Sequence, residues 1–210
     1  MISVSRKAQS FLPKHPSSHV VYNGVAVPDD NYAISLLELF ETDRPIALSI
    51  GRLVEAKGFD LLIDAMDGTD LNLVIAGDGP DRESLNNQID NLGLNDRIKL
   101  LGNVEKAAGL FHQADLCVIS SRREGFSYVF AEALVSGIPV ISTLVNDAEH
   151  ILSPSCQVSP LTVGQLQGKL RAFAARPEPF VQDSRNTIQW GQSKLTVKAM
   201  VKRNEEILLD

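Results

Sequence analysis

Apolar runs along the chain alternate with amphipathic stretches, and their spacing predicts a regular succession of strands and helices. Ile46–Ile50 is continuously apolar apart from one serine, the mark of a strand covered on both faces. The pattern then predicts a helix over Lys57–Met66, a strand over Leu71–Ala76 and a helix over Asp81–Leu92 that Gly93 ends. It continues with strand Arg97–Leu101, helix Glu105–Gln113, strand Leu116–Ser120, helix Ser127–Ser136, strand Ile138–Ser142 and a short last strand, Cys156–Val158. Strand candidates separated in this way by helices imply βαβ units, right-handed crossovers and an α/β fold with a Rossmann-like parallel sheet of about six strands.

Beyond the sheet, Thr162–Ala175 and Asp183–Leu209 are expected as two helices separated at Pro177-Glu-Pro179, the second long enough to leave the sheet domain. Residues 1–45 fit less well. Ser5–Phe11 suggests a helix and Val20–Tyr22 a strand, yet nothing there predicts a second sheet. A helix over Ile34–Phe40 would present Leu36, Leu37, Leu39 and Phe40, which need a cover that the chain is not expected to supply.

Composition narrows the class without changing this picture. With 210 residues, 44% of them hydrophobic, the chain can bury a substantial core. A net charge of −6 argues against a nucleic-acid groove, which needs a basic face to displace counterions from phosphates. No apolar run approaches the roughly 18 residues of a membrane span, and the first residues lack the apolar stretch of a secretory signal, so a cytoplasmic location is expected. Cys117 and Cys156 fall in predicted strands, and the four histidines are scattered, so neither a zinc site nor a disulfide is expected.

In an open α/β sheet, ligands bind beyond the carboxyl ends of the strands where strand order reverses, for a doubly wound order between the first and fourth strands. After the first strand come Gly51, Arg52 and, further on, Lys57-Gly58; after the fourth comes Ser120-Ser121-Arg122-Arg123-Glu124-Gly125-Phe126-Ser127, leading into a helix. A helix N-terminus there offers free N–H donors and positive partial charge to a phosphate. Gly77-Asp78-Gly79-Pro80 and Gly102-Asn103-Val104 close the other strand ends, and their glycines permit close backbone approach. No G-x-G-x-x-G follows the first strand, which argues against a dehydrogenase-type dinucleotide site.

Each feature also has a plain structural explanation. Arg52 and Lys57 taken alone are a solvated surface pair, Arg122 and Arg123 are surface charges, His112 is a packing or surface residue, and Gly77-Asp78-Gly79-Pro80 is a turn. Glu132 is the only charge in Tyr128–Val135, a helix apolar on nearly every face, so its carboxylate is expected to be buried and to need partners. A structural arginine, cap donors or the hydroxyls of a bound ribose would all serve. Glu124, at the mouth of that helix, has the same alternatives.

Taken together these segments resemble the C-terminal, donor-binding domain of glycosyltransferase family 4, the retaining GT-B enzymes. The E-x7-E pattern runs from Glu124 to Glu132 and continues into Ala133-Leu134 and Gly137-Ile138-Pro139-Val140-Ile141. Gly51-Arg52 with Lys57-Gly58, Asn23-Gly24-Val25, Gly77-Asp78-Gly79-Pro80 and Ala114-Asp115 also fall in the family's order, and the resemblance covers about residues 20 to 210. It implies that Arg52 and Lys57 hold the diphosphate of a nucleotide-sugar donor, Glu132 the ribose hydroxyls and Glu124 the transferred sugar. Gly51 and Gly77 would approach the donor, Gly125, Phe126 and Ser127 would offer backbone donors to sugar or phosphate, and Asn103-Val104 would face the nucleobase.

The same resemblance implies transfer of a hexose or N-acetylhexosamine, with a UDP-sugar favoured, to a polysaccharide or lipid-linked acceptor, as in lipopolysaccharide and O-antigen synthesis. It implies no cofactor and no metal. Residues 1–45 then read as the remnant of an N-terminal acceptor domain and linker, 46–180 as the nucleotide-sugar-binding domain, and 181–210 as a C-terminal helix reaching toward the acceptor domain. The acceptor would bind through that domain, and attachment of the complete enzyme to the inner face of the cytoplasmic membrane is left open. Two alternatives stand beside this one: a GT-B nucleotide-sugar epimerase, and a non-catalytic nucleotide-sugar-binding module.

Overall fold

A computed structural model describes residues 2–12, 18–29, 34–145 and 147–209. Its core is the expected six-stranded parallel sheet: β1 (Ile46–Ile50), β2 (Asn72–Ala76), β3 (Ile98–Gly102), β4 (Leu116–Ile119), β5 (Val140–Thr143) and β6 (Gln157–Val158), in the order β3-β2-β1-β4-β5-β6. The order reverses between β1 and β4, where Leu48 lies opposite Val74 on one side and Cys117 on the other. Every residue of β2 is buried, as expected for a parallel strand with both faces covered.

The main helices are α1 (Phe59–Ala65), α2 (Arg82–Leu92), α3 (Tyr128–Ser136), α4 (Val163–Ala175) and α5 (Pro177–Lys194), with α6 (Val197–Leu209) packed on α5. α1 packs on α2 and α4, whereas α3 packs on α5 and on the turn Ala107–Gln113. Their ends follow local chemistry: Ser127 and Thr162 cap α3 and α4 through their hydroxyls, and Gly93 and Gly137 close α2 and α3 in left-handed conformation. None of the described helices is long and apolar enough to cross a membrane.

Several expectations are corrected. The helix expected from Lys57 begins only at Phe59, because Glu55–Lys57 forms a 3-10 turn that Gly58 ends at φ +66°. A Cβ at Gly58 would sit 2.2 Å from the carbonyl oxygen of Ser120, so the chain turns there in a form only glycine fits. The helix expected over Glu105–Gln113 is a 3-10 turn, Ala107–Gln113, entered through Lys106 at φ +53°. Cys156 ends a 3-10 turn just ahead of β6 instead of opening the strand.

The two helices do separate at the prolines, at the extended Arg176, but α5 begins at Pro177 and not at Asp183, because a proline in the first turn of a helix costs no N–H donor. A second break comes at Leu195–Thr196, where Val25 intrudes. Val25 N donates to Leu195 O at 2.8 Å and Val197 N donates to Val25 O at 3.1 Å. Contrary to expectation, the N-terminal segment does form a sheet: Ile2–Ser3 pairs in parallel with His19–Val20 across the helix Arg6–Ser10. In place of a helix over Ile34–Phe40 there is a single 3-10 turn, Leu37–Leu39. Leu36 is nevertheless fully buried by this chain, with Gln113 accepting from its N–H at 2.9 Å, while Leu37 stays 73% exposed.

Candidate functional site

The carboxyl ends of β1, β2 and β3 meet through their backbones. Gly51 N donates to Ala76 O at 2.9 Å, and Gly77 N donates to Gly102 O at 2.7 Å. Gly77 has φ +147°, and a Cβ there would lie 1.9 Å from the carbonyl oxygen of Gly51, so this approach excludes any side chain. Around the junction opens a cleft of about 580 Å³ lined by Ile50, Gly51, Arg52, Gly77, Asn103 and Val104 among others. Five of the residues singled out from sequence therefore share one wall. Arg52 is exposed there, and no carboxylate among the described residues pairs with it.

The second group sits across the switch point, and it differs from a set of free side chains. Lys57 Nζ lies 2.8 Å from Glu124 Oε1, with 24% and 7% of the two side chains exposed. Ser121 Oγ donates to the same Oε1 at 2.7 Å, and Oε2 has no protein partner among the described residues. The two loops are tied together around this pair. Ser120 Oγ donates to Lys57 O at 2.9 Å and Arg122 N donates to Ala56 O at 2.8 Å.

Arg122 is a brace and not merely a surface charge. Its guanidinium grips Asp60 at 2.7 and 2.6 Å and reaches Glu55 O at 2.7 Å. These hydrogen bonds hold the Asp60 carboxyl below the usual range despite partial burial, and they raise Arg122 in turn. Arg123 remains exposed, and so does His112, whose Nε2 lies 3.2 Å from Pro28 O.

At the start of α3, Ser127 is buried and its hydroxyl accepts from Phe130 N at 3.3 Å. Phe126 and Tyr128 meet edge to face with ring centres 5.1 Å apart. Gly125 is exposed beside them. Glu132, one turn into α3, is half-buried and not fully buried, and its carboxyl is pushed upward by loss of solvent alone. Neither an arginine nor a cap donor reaches it among the described residues. It stands near β4, where burial first and the Glu132 charge second push the Cys117 thiol up.

Sequence reasoning missed four of these arrangements: Lys57 on Glu124, Ser121 on Glu124, Arg122 on Asp60, and a buried junction at Asp147. The Asp147 carboxylate accepts from Arg6 N and from Tyr22 Oη, both at 2.8 Å, and Tyr22 packs edge to face on Trp190. Burial, then the bond to Asp147, drives the Tyr22 phenol upward. Partners 125 and 141 residues apart leave no local signal.

A family model described as Glycosyl transferases group 1 matches residues 37–155, more than half of the chain. Among curated relatives, the lipopolysaccharide core biosynthesis glycosyltransferases LpsE and LpsD of Rhizobium meliloti (strain 1021) are 30% and 36% identical over 132 and 143 residues. Those matches cover 62% and 67% of this chain but only 39% and 42% of the relatives, so the chain spans less than half of their length. HepE of Anabaena, solved in complex with UDP, superposes with a TM-score of 0.86 at 21% identity over 99% of this chain and 62% of HepE. That likeness concerns the fold and places the sheet with the GT-B glycosyltransferases. With β1, the switch-point loops and α3 all inside the matched span, the chain belongs to the glycosyl transferases group 1 family.

Proposed function

We propose that this chain is the donor-binding part of a retaining glycosyltransferase of family 4, which moves a hexose or N-acetylhexosamine from a UDP-sugar to a polysaccharide or lipid-linked acceptor. The observation that carries the proposal is the arrangement at the β1/β4 switch point. A cleft floored by glycine backbone lies beside the Lys57–Glu124 pair, and among the described residues neither Arg52 nor Glu132 has a charged or hydrogen-bonding side-chain partner. A ribose would give Glu132 the hydroxyl donors that it lacks. Lipopolysaccharide core transferases among the relatives and UDP in the HepE structure support the substrate class.

In this proposal the acceptor hydroxyl attacks the anomeric carbon from the face that the diphosphate leaves. The bond from that carbon to the phosphate oxygen breaks as the new glycosidic bond forms, and the hydroxyl proton passes to the departing phosphate. Arg52 and Lys57 meet the charge developing on the diphosphate, without a metal. Loss of one such preorganised donor typically lowers rate by on the order of 10²–10³. Transfer is proposed to require an acceptor-binding domain in addition to these residues.

Calorimetry tests the assignment of roles. Glu132→Ala should weaken UDP and UDP-sugar alike, whereas Glu124→Ala should weaken only the UDP-sugar. Arg52→Ala should cost roughly ten- to a hundredfold in UDP affinity, the worth of a charge-assisted hydrogen bond, and leave uridine almost unaffected. Equal loss of UDP binding in the two glutamate variants would show that the roles are wrongly assigned.

A further inference from the structure

Glu124 would be poorly suited to choose among sugar hydroxyls if its carboxylate could rotate freely. It does not stand alone: Lys57 Nζ and Ser121 Oγ converge on the single oxygen Oε1, at 2.8 and 2.7 Å, and leave Oε2 without a protein partner among the described residues. Ser121 is itself held. It is 2% exposed, and its carbonyl oxygen accepts from Thr143 Oγ1, at the end of β5, at 2.7 Å. The carboxylate is thus anchored by Lys57, from the turn that follows β1, and by Ser121, just past β4, which Thr143 at the end of β5 holds in turn.

The two donors are not equivalent. Lys57 is also the cation proposed to meet the diphosphate, so a bound donor competes for it. Ser121 is neutral and buried, and among the described residues its hydroxyl meets only Glu124. We propose that Ser121 is the positioning residue of the site: its hydroxyl keeps Oε1 occupied when Lys57 turns to the phosphate, so that Oε2 is the oxygen presented to a hydroxyl of the donor sugar. This rests on the reading of Glu124 as the sugar contact. It adds that discrimination of UDP-sugar from UDP depends on a residue that touches neither.

The test uses the full chain, UDP, and UDP-glucose, UDP-galactose and UDP-N-acetylglucosamine, with affinities from calorimetry. The sugar bound most tightly by the unaltered protein serves as the probe. Ser121→Ala should leave UDP affinity within about twofold and weaken the UDP-sugar by about five- to thirtyfold, somewhat less than the direct loss of a hydrogen bond to a charged group because Ser121 acts through Glu124. In a Glu124→Ala background the same change should do nothing further, because Ser121 acts only through that carboxylate. Parallel loss of UDP and UDP-sugar, or an effect of Ser121→Ala that persists without Glu124, would overturn the inference. Failure of the underlying reading is separate and visible in the parent: there, no UDP-sugar would bind, or Glu124→Ala would leave UDP-sugar affinity unchanged, and the inference would fall with it.

Discussion

Replacing Lys57 by alanine should harm stability and donor binding through different atoms, and a second substitution should separate them. Glu124 is 7% exposed and shares Oε1 between Lys57 and Ser121, so removing the lysine leaves a nearly buried carboxylate with one neutral donor. Breaking a buried pair from one side costs about 3–5 kcal/mol. Lys57 is 24% exposed, and water can enter where its chain stood, so roughly 2–4 kcal/mol is expected here. For a chain of this size that is a fall in Tm of roughly 5–15 °C. On the proposed assignment the diphosphate also loses a cation, with roughly ten- to a hundredfold weaker UDP binding. Adding Glu124→Gln removes the stranded charge, so Lys57→Ala with Glu124→Gln should regain at least half of the lost Tm but none of the UDP affinity. Scanning calorimetry and UDP titration on the single and double variants decide the matter. A single variant that melts within about 2 °C of the parent would refute the buried-pair argument. A double variant that regains UDP binding would refute the role of Lys57 at the phosphate.

Two further outcomes follow from backbone and burial. Gly58→Ala, whose Cβ would meet the Ser120 carbonyl oxygen at 2.2 Å, should destabilise by more than about 3 kcal/mol in urea unfolding. Gly93→Ala, at nearly the same φ but with nothing within 4 Å, should lose only about 1–2 kcal/mol, the left-handed backbone term alone. Burial raises the Glu132 carboxyl above its ordinary 4.5, so the folded state binds its proton more tightly than the unfolded chain does. The penalty is therefore absent below the unfolded value and fully present once pH passes the raised folded value. Glu132→Gln should accordingly raise Tm at neutral pH, with the gain vanishing as pH falls below 4.5, while UDP affinity drops. A gain that grew on acidification would contradict this sign.

The sheet and its switch point were legible in the chain because their cause is local. Continuous apolar runs such as Ile46–Ile50 and Leu116–Ile119 bury on both faces whatever surrounds them, and Gly93, Ser127 and Thr162 mark helix ends by chemistry within a few residues. The strand-end positions of Arg52, Gly77, Asn103 and Glu124 followed from the same periodicity. Other features depended on atoms far away along the chain. Gly58 tolerates no side chain because the Ser120 carbonyl lies against it, and the C-terminal helix breaks at Leu195, where Val25 supplies alternative hydrogen-bond partners. Likewise the pairing of Lys57 with Glu124 and the grip of Arg122 on Asp60 arise only when segments more than 60 residues apart are brought together, whereas Ser121 reaches Glu124 within its own loop. Periodicity determines which face of each element is buried; which polar atoms meet at the ends of those elements is decided by the order and register of the folded sheet.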